Sequence, residues 1–167
     1  MATELPAEVQ TVEELKGLVG QELGVGGWTE ITQELVNAFA DLTGDHQYIH
    51  VDPERARETM FGGTIAHGYL TLSLLPRLAR ERQGVRLNLG GRMSVNYGLN
   101  RLRFPGAVPV GKRIRLRTRL LEVQELNPGA GPDGRPRAVQ LTFQQTVEVE
   151  GAERPGMVAE TISRIYF

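Results

Sequence analysis

The stretch from Gly68 to Arg82 limits what this chain can fold into more than any other part of the sequence. Read as a helix, it carries apolar residues on nearly every side, whereas a surface helix keeps one polar face. These apolar residues are Tyr69, Leu70, Leu72, Leu74, Leu75, Leu78 and Ala79. The stretch is too short to span a membrane and ends in charged residues, so it is predicted to be buried within the protein. Pro76 predicts a kink between Leu72 and Pro76, because proline removes one backbone hydrogen bond.

After this helix the sequence changes to the alternating apolar and polar pattern of β-strands. Between Lys112 and Glu122, Ile, Leu and Thr alternate with four arginines, which is typical of a strand buried on one side. The same alternation is found over 85–89 and 139–149, and further strands are expected over 93–99 and 157–167. Strands joined by short turns form an antiparallel sheet, and the apolar helix needs a cover. The sequence therefore predicts an α+β fold in which one curved antiparallel sheet wraps around the helix.

The length of 167 residues fits one domain with a sizeable core. We find no internal repeat, linker or second domain, so residues 1–167 are expected to form a single domain. Near its start, Thr11 and Glu14 fit a capping box that opens a short amphipathic helix. Residues 1–20 are therefore predicted to be a helical extension packed on the domain.

The composition excludes several classes of function. The net charge is −1 and the isoelectric point is near 6.3, so neither nucleic acid nor an anionic membrane is an expected partner. The chain has no cysteine, which excludes disulfides, thiolate metal sites and a cysteine nucleophile. The first ten residues, MATELPAEVQ, lack an apolar signal region, so a cytoplasmic location is expected.

A polar loop with two chemically active residues precedes the apolar helix. A helix is predicted over 33–42, with Thr32 as its cap and Gly44 in the left-handed position after its end. Asp52 and Pro53 then open a second, short helix. Asp45 to Val51 is therefore predicted to be a loop between two helices. It places Asp45 and His50 five residues apart, ahead of the helix that His67 and Gly68 open.

Taken alone, this arrangement is weak evidence of catalysis. An aspartate after a helix-ending glycine usually makes a local turn bond, and a loop histidine is usually solvated. His46 and His50 have the spacing of a metal site only within a helix, and Gly44 and Pro53 argue against one. We therefore expect no metal, and we expect His46 to lie on the surface.

Three motifs give the chain a resemblance to a known family. They are GDHQYIHVDPERA, IAHGYLTLSLLP and NYGLNRLRFPGAVPVG. Together they resemble the MaoC-like (R)-specific enoyl-CoA hydratase family, and in particular its nodulation N-like branch, over nearly the whole chain. The resemblance implies a hot-dog fold, which is one long central helix wrapped by a curved antiparallel sheet.

The resemblance also implies a reaction and its residues. The family adds water reversibly, in syn fashion, to a trans-2-enoyl thioester, so the chain is expected to be a hydro-lyase that needs no cofactor. Asp45 and His50 match the residues that hold the catalytic water, and the backbone N–H of Gly68 matches the group that polarises the thioester carbonyl. The expected substrate is an acyl thioester of coenzyme A or of an acyl carrier. A homodimer is expected as well, since a small wrapped sheet otherwise leaves an edge strand unpaired.

Other candidate residues keep two interpretations each. His67 either contacts substrate or satisfies backbone groups before the helix, and the second role is favoured. Asn96 either faces the site, as in the branch that the chain resembles, or belongs to a turn at a strand end. The arginines at 113, 115, 117 and 119 either bind phosphates of coenzyme A or RNA, or form a solvated strand face; the face carries no interleaved aromatics, which weakens RNA.

Two other functions compete with hydration. A hot-dog thioesterase would use a carboxylate and water to cleave the thioester, whereas His50 beside the His-Gly turn favours hydration. A non-catalytic protein that binds acyl thioesters would be indicated by loss of Asp45 or His50, and both residues are present.

Overall fold

The computed structural model describes residues 5–167, which form nine strands and six α-helices. The strands are β1 (Glu8–Val9), β2 (Glu22–Val25), β3 (Thr29–Glu30), β4 (Gln83–Gly84), β5 (Arg86–Leu87), β6 (Met93–Arg103), β7 (Arg113–Leu126), β8 (Ala138–Val149) and β9 (Met157–Tyr166). The helices are α1 (Val12–Lys16), α2 (Gln33–Thr43), α3 (Tyr48–Val51), α4 (Pro53–Ala56), α5 (Gly68–Ser73) and α6 (Leu75–Arg80). A 3₁₀ turn at Pro132–Gly134 lies in the loop between β7 and β8.

Seven strands form one curved antiparallel sheet that packs against α5 and α6. The order is β4, β2, β7, β8, β9 and β6, and β3 pairs with β7 beside β2. Leu70 of α5, Leu78 of α6 and Leu74 between them join a buried cluster with residues of β7, β8 and β9. The α+β class and the sheet wrapped around a helix, as predicted from the sequence, are confirmed.

Two short strands near the N-terminus were not predicted from the sequence. Its glycine-rich segment 20–27 contains β2, which pairs with β4 and β7. The strand β1 pairs in parallel with β5, outside the main sheet. The helix α1 follows, capped by Thr11 and Glu14 as predicted, and its Leu15 is fully buried in a second apolar cluster.

The predicted break in the apolar helix is confirmed. The helix α5 ends at Ser73, and α6 begins at Leu75 with Pro76 in its first turn. The prediction that this stretch is buried on all sides was wrong for the single chain. One face packs on the sheet, whereas Tyr69 is 67% exposed and Leu72 and Leu75 border an open cleft. No helix formed by residues 5–167 is long and apolar enough to cross a membrane.

The central strand β7 has one buried face and one ion-paired face. Ile114, Leu116, Thr118 and Leu120 are all buried, as their alternation predicts. On the other face Arg113 pairs with Glu150, Arg115 with Glu148, and Arg117 with both Glu22 and Glu148. Three of the four arginines are therefore paired with glutamates of neighbouring strands. The row of arginines on this face is explained by these ion pairs, without a bound phosphate or RNA.

We predict that Leu78→Ala destabilises the fold by about 2–5 kcal/mol, because it leaves a cavity in the cluster between helix and sheet. The free energy of unfolding is measured by urea denaturation. Leu42→Ala is the matched control, since the Leu42 side chain is 83% exposed on α2 and its truncation should change stability by about 0.5 kcal/mol or less. Equal losses in the two variants would contradict the placement of α6 in the core.

Candidate active site

The segment that carries Asp45 starts where α2 is forced to end. Thr32 caps the start of α2 by accepting a hydrogen bond from the Leu35 N–H, and Gly44 adopts a left-handed φ of 78° after its end, both as predicted. The chain then leaves the helix axis. The carboxylate of Asp45 accepts a hydrogen bond from the Gln47 N–H at 3.4 Å, which is a local turn bond, and the residue stays exposed.

His50 lies on the four-residue helix α3, which corrects the prediction of a continuous loop from Asp45 to Val51. The side chain is only 7% exposed. Its Nδ1–H donates to the backbone oxygen of Ile65 at 2.7 Å. A carbonyl oxygen can only accept, so the proton of the neutral ring lies on Nδ1 and the lone pair on Nε2.

Gln33 and Thr64 hold the backbone at His50 in place through hydrogen bonds. The side-chain amide of Gln33 donates to the backbone oxygen of His50 at 2.7 Å and accepts from the Thr64 hydroxyl at 2.6 Å. Neither residue is predicted from the sequence as part of the site. The only signal was the position of Gln33 in the first turn of α2, a helix that ends just before Asp45.

His67 immediately precedes α5 and holds the Asp45 segment in place. Its Nε2–H donates to the backbone oxygen of Asp45 at 2.9 Å. Its ring stacks on His50, with centroids 3.8 Å apart and an angle of 26° between planes, and it also contacts Phe39. The Nδ1 atom of His67 is buried and has no hydrogen-bond partner among residues 5–167. The contacts agree with the favoured interpretation that this histidine satisfies a backbone group.

Asp45, His50 and His67 come together although they are distant in sequence. One nitrogen or carboxylate oxygen from each residue lies within 4.8 Å of the others. Burial lowers the pKa of His50 below its ordinary value of 6.5, and the neighbouring His67 lowers this pKa further, while the Ile65 carbonyl and Asp45 act in the opposite direction. At neutral pH His50 is therefore an uncharged imidazole that can accept a proton.

One aspartate and two histidines bind zinc in many proteins, so the geometry of the two rings is informative. Two imidazoles on one tetrahedral zinc, each with its nitrogen about 2.1 Å from the metal, keep their centroids about 5 Å apart. The rings of His50 and His67 are stacked at 3.8 Å. This stacking favours an acid/base site over a metal site, and the absence of a bound metal stays a prediction.

Gly68 is the first residue of α5 and lines a cavity of about 320 Å³ together with His50. The residue before it, His67, makes no side-chain capping bond to the first turn. The first N–H groups of a helix have no partner within the helix, so they are available to an outside acceptor. Phe61, Thr71 and Phe104 complete the cavity wall near Gly68.

Asn96 lies on β6 and borders a different cleft, of about 720 Å³. This larger cleft lies between the exposed side of α5 and α6 and the strands β6, β8 and β9. The structure therefore brings Asp45, His50, His67 and Gly68 together, and it places Asn96 apart from them.

Comparisons with known proteins identify this architecture. The structure superposes on an (R)-hydratase from A. caviae involved in PHA biosynthesis with a TM-score of 0.65, at 25% identity, covering 87% of this chain and 94% of that one. The fold is therefore the hot-dog fold, as predicted. Residues 14–130 match the family model described as MaoC like domain, and the chain belongs to that family.

Two curated relatives extend over nearly the whole chain. One is 3-hydroxyacyl-thioester dehydratase Z of Mycobacterium tuberculosis, which is 49% identical over 155 residues, covering 93% of this chain and 95% of the relative. The other is nodulation protein N of Rhizobium leguminosarum bv. viciae, which is 43% identical over 150 residues, covering 89% and 87%. With these similarities, the chain is an enzyme of the hydratase and dehydratase type, a hydro-lyase.

We predict that the pKa values of His46 and His50 lie on opposite sides of the ordinary value of 6.5. Burial lowers the pKa of His50, whereas the hydrogen bond to Asp41 raises the pKa of the exposed His46. Protonation of His50 is unfavourable in the folded state, so the stability due to its neutral form is present above pH 6.5 and lost as the pH falls through the lowered pKa. NMR titration of the imidazole signals, assigned with His46→Gln, measures both values. A pKa of His50 above that of His46 would contradict the described burial.

Proposed function

We propose that the protein is an (R)-specific 2-enoyl-CoA hydratase and 3-hydroxyacyl-thioester dehydratase that works without a cofactor or metal. The observation that carries the proposal is the meeting of Asp45 with neutral His50, which lines one small cavity together with Gly68 at the N-terminus of α5. The substrate class follows the relatives, one of which is named for the dehydration of 3-hydroxyacyl thioesters.

The spacing of Asp45 and His50 suits a shared water molecule. A water about 2.8 Å from each of two acceptors holds them about 4.6 Å apart. One carboxylate oxygen of Asp45 and one ring nitrogen of His50 lie within 4.8 Å of each other. Because Nδ1 of His50 is occupied by the Ile65 carbonyl, the lone pair of Nε2 is the part of the ring left to accept a proton from that water.

The proposed reaction needs one base, one proton donor and one stabiliser of negative charge. In hydration the Asp45 and His50 pair takes a proton from water, and the water oxygen bonds to C3 of the enoyl group. The electron pair of the double bond moves toward the thioester oxygen, which the Gly68 N–H stabilises. Asp45 and His50 then return one proton to C2. The oxygen on C3 and the hydrogen on C2 both come from the face where the water is held, so the addition is syn.

The larger cleft is the candidate site for the acyl chain. Its apolar wall includes Leu72, Leu75 and Phe143, and Asn96 borders it. We therefore keep Asn96 as a proposed substrate-binding residue, with a role at the acyl chain and not at the reacting carbons. Three of the four arginines of β7 are paired with glutamates, so they do not indicate which residues bind the phosphates of coenzyme A.

Hydration is tested with crotonyl-CoA and longer 2-enoyl-CoAs, following the absorbance of the conjugated thioester and the release of free thiol. Loss of absorbance without thiol supports hydration. Release of thiol would instead indicate a thioesterase, and no change in either signal would indicate a protein that only binds acyl thioesters.

We predict that Asp45→Asn and His50→Ala each lower kcat by roughly 10²-fold or more, because each leaves its partner without the shared water. The double variant should be little worse than the worse single one, since the two residues act as a unit. Thermal melts establish that the variants fold. His46→Ala is the matched control, because this nearby histidine is exposed and pairs with Asp41. Near-normal turnover in a folded Asp45→Asn or His50→Ala variant would refute the assignment.

We also propose that the protein is a homodimer that covers β6. This strand ends the sheet and is exposed along nearly its whole length, with Met93 54%, Tyr97 56% and Leu99 44% exposed. An unpaired edge with large apolar side chains favours association with a second copy.

Light scattering at micromolar concentration is expected to give the mass of a dimer. Tyr97→Glu and Leu99→Arg, which place charges on this strand, should shift the protein toward monomer. A wild-type protein that stays monomeric at this concentration would contradict the proposal.

A further inference from the structure

The ring of Phe104 lies directly against Gly68. A Cβ atom added to Gly68 would be 2.8 Å from Cδ2, 2.9 Å from Cε2 and 3.0 Å from Cγ of Phe104, so close that the ring or the helix start would have to shift. Gly68 begins α5 and is not among the glycines with positive φ, so its backbone conformation does not require glycine. Glycine is needed here for space, and the neighbour that takes the space is Phe104.

The backbone on both sides of Phe104 holds the ring in this position. The register of β6 shifts between Asn100 and Arg103, and Arg101 has a left-handed φ of 50°, which bends the strand end. Leu102 packs against the main apolar cluster, and the Gly106 N–H donates to the Pro155 carbonyl at 3.0 Å. The bend and these two contacts set the path of the chain through Phe104.

The placement of the ring limits the room beside the proposed thioester carbonyl. Phe104 lines the 320 Å³ cavity with His50 and Gly68, and its edge meets the Tyr69 ring with centroids 6.1 Å apart. A carbonyl oxygen that accepts from the Gly68 N–H must therefore lie next to this ring. The atom C2 is bonded to the carbonyl carbon, so any substituent on C2 enters the same narrow space.

From this contact we infer that Phe104 is a specificity-determining residue that admits enoyl thioesters unbranched at C2 and excludes those with a methyl group there. The inference rests on the proposed hydration of enoyl thioesters. One methylene group against a well-packed wall changes kcat/KM by about 10- to 200-fold.

The test compares crotonyl-CoA with 2-methylbut-2-enoyl-CoA, which differ only by the methyl group on C2. The measured quantity is the ratio of kcat/KM for the branched substrate to that for the unbranched one. This ratio is compared between variants, because the methyl group also changes the intrinsic reactivity of the substrate by the same factor in every variant. Phe104→Ala and the milder Phe104→Leu are expected to raise the ratio about tenfold or more.

Phe61→Ala is the matched control. Phe61 lines the same cavity and is 39% exposed, close to the 38% of Phe104, but the nearest atoms to Gly68 belong to Phe104. This variant should change kcat/KM for the two substrates by the same factor. A purely structural role of Phe104 would lower both rates without moving the ratio, and that outcome overturns the inference.

A second measurement tests the contact without any substrate. Gly68→Ala should lower the melting temperature, and Phe104→Ala in the same chain should recover part of that loss, because it removes the ring that the new Cβ meets. Additive effects in this double-mutant cycle would overturn the inference. If the wild type hydrates crotonyl-CoA and the ratio in both Phe104 variants is unchanged from that of the wild type, only the inference fails. If the wild type hydrates neither thioester, the proposed function fails and the inference fails with it.

Discussion

Three hydrogen bonds between residues 45–50 and residues 65–67 are the constraint on which the site depends. His50 donates to the Ile65 carbonyl, the Ile65 N–H donates to the Ile49 carbonyl, and His67 donates to the Asp45 carbonyl. Two of the three use a histidine side chain, so the residues that build the site also fasten it. The carbonyl of the buried Ile65, which would otherwise lack a partner, is satisfied by the bond from His50.

The second of these two segments, residues 65–67, also connects the site to the rest of the fold. The Ala66 N–H donates to the Val108 carbonyl and the Val110 N–H to the Thr64 carbonyl, which places residues 64–66 beside the segment before β7. The chain then enters α5, whose Leu70 is buried against the sheet. The position of the Gly68 amide is thus set from one side by the histidine bonds and from the other by the packing of the broken helix.

The sequence predicts those parts of the fold that local chemistry determines. Thr32 and Gly44 mark the ends of α2, Asp52 and Pro53 open α4, and the alternation in β7 identifies its buried face. The helix α3 was missed because four residues are too few to show a helical period. The approach of His67 to Asp45 and of Phe104 to Gly68 joins residues 22 or more positions apart, and only the tertiary fold determines such distances. The exposed face of α5 was missed because apolar composition alone does not tell which surface covers a helix.

The Nδ1 atom of His67, which has no hydrogen-bond partner among residues 5–167, has a consequence for how far this protein can be stabilised. A buried acceptor without a hydrogen bond costs about 1–3 kcal/mol of folding free energy, and this one stands beside His50. An apolar ring of similar shape at position 67 would remove that cost, but it would also remove the donor to the Asp45 carbonyl. Selection for heat tolerance alone would therefore act against the hydrogen bond that holds the Asp45 segment, so that stability and the geometry of the proposed site are in conflict at this one side chain.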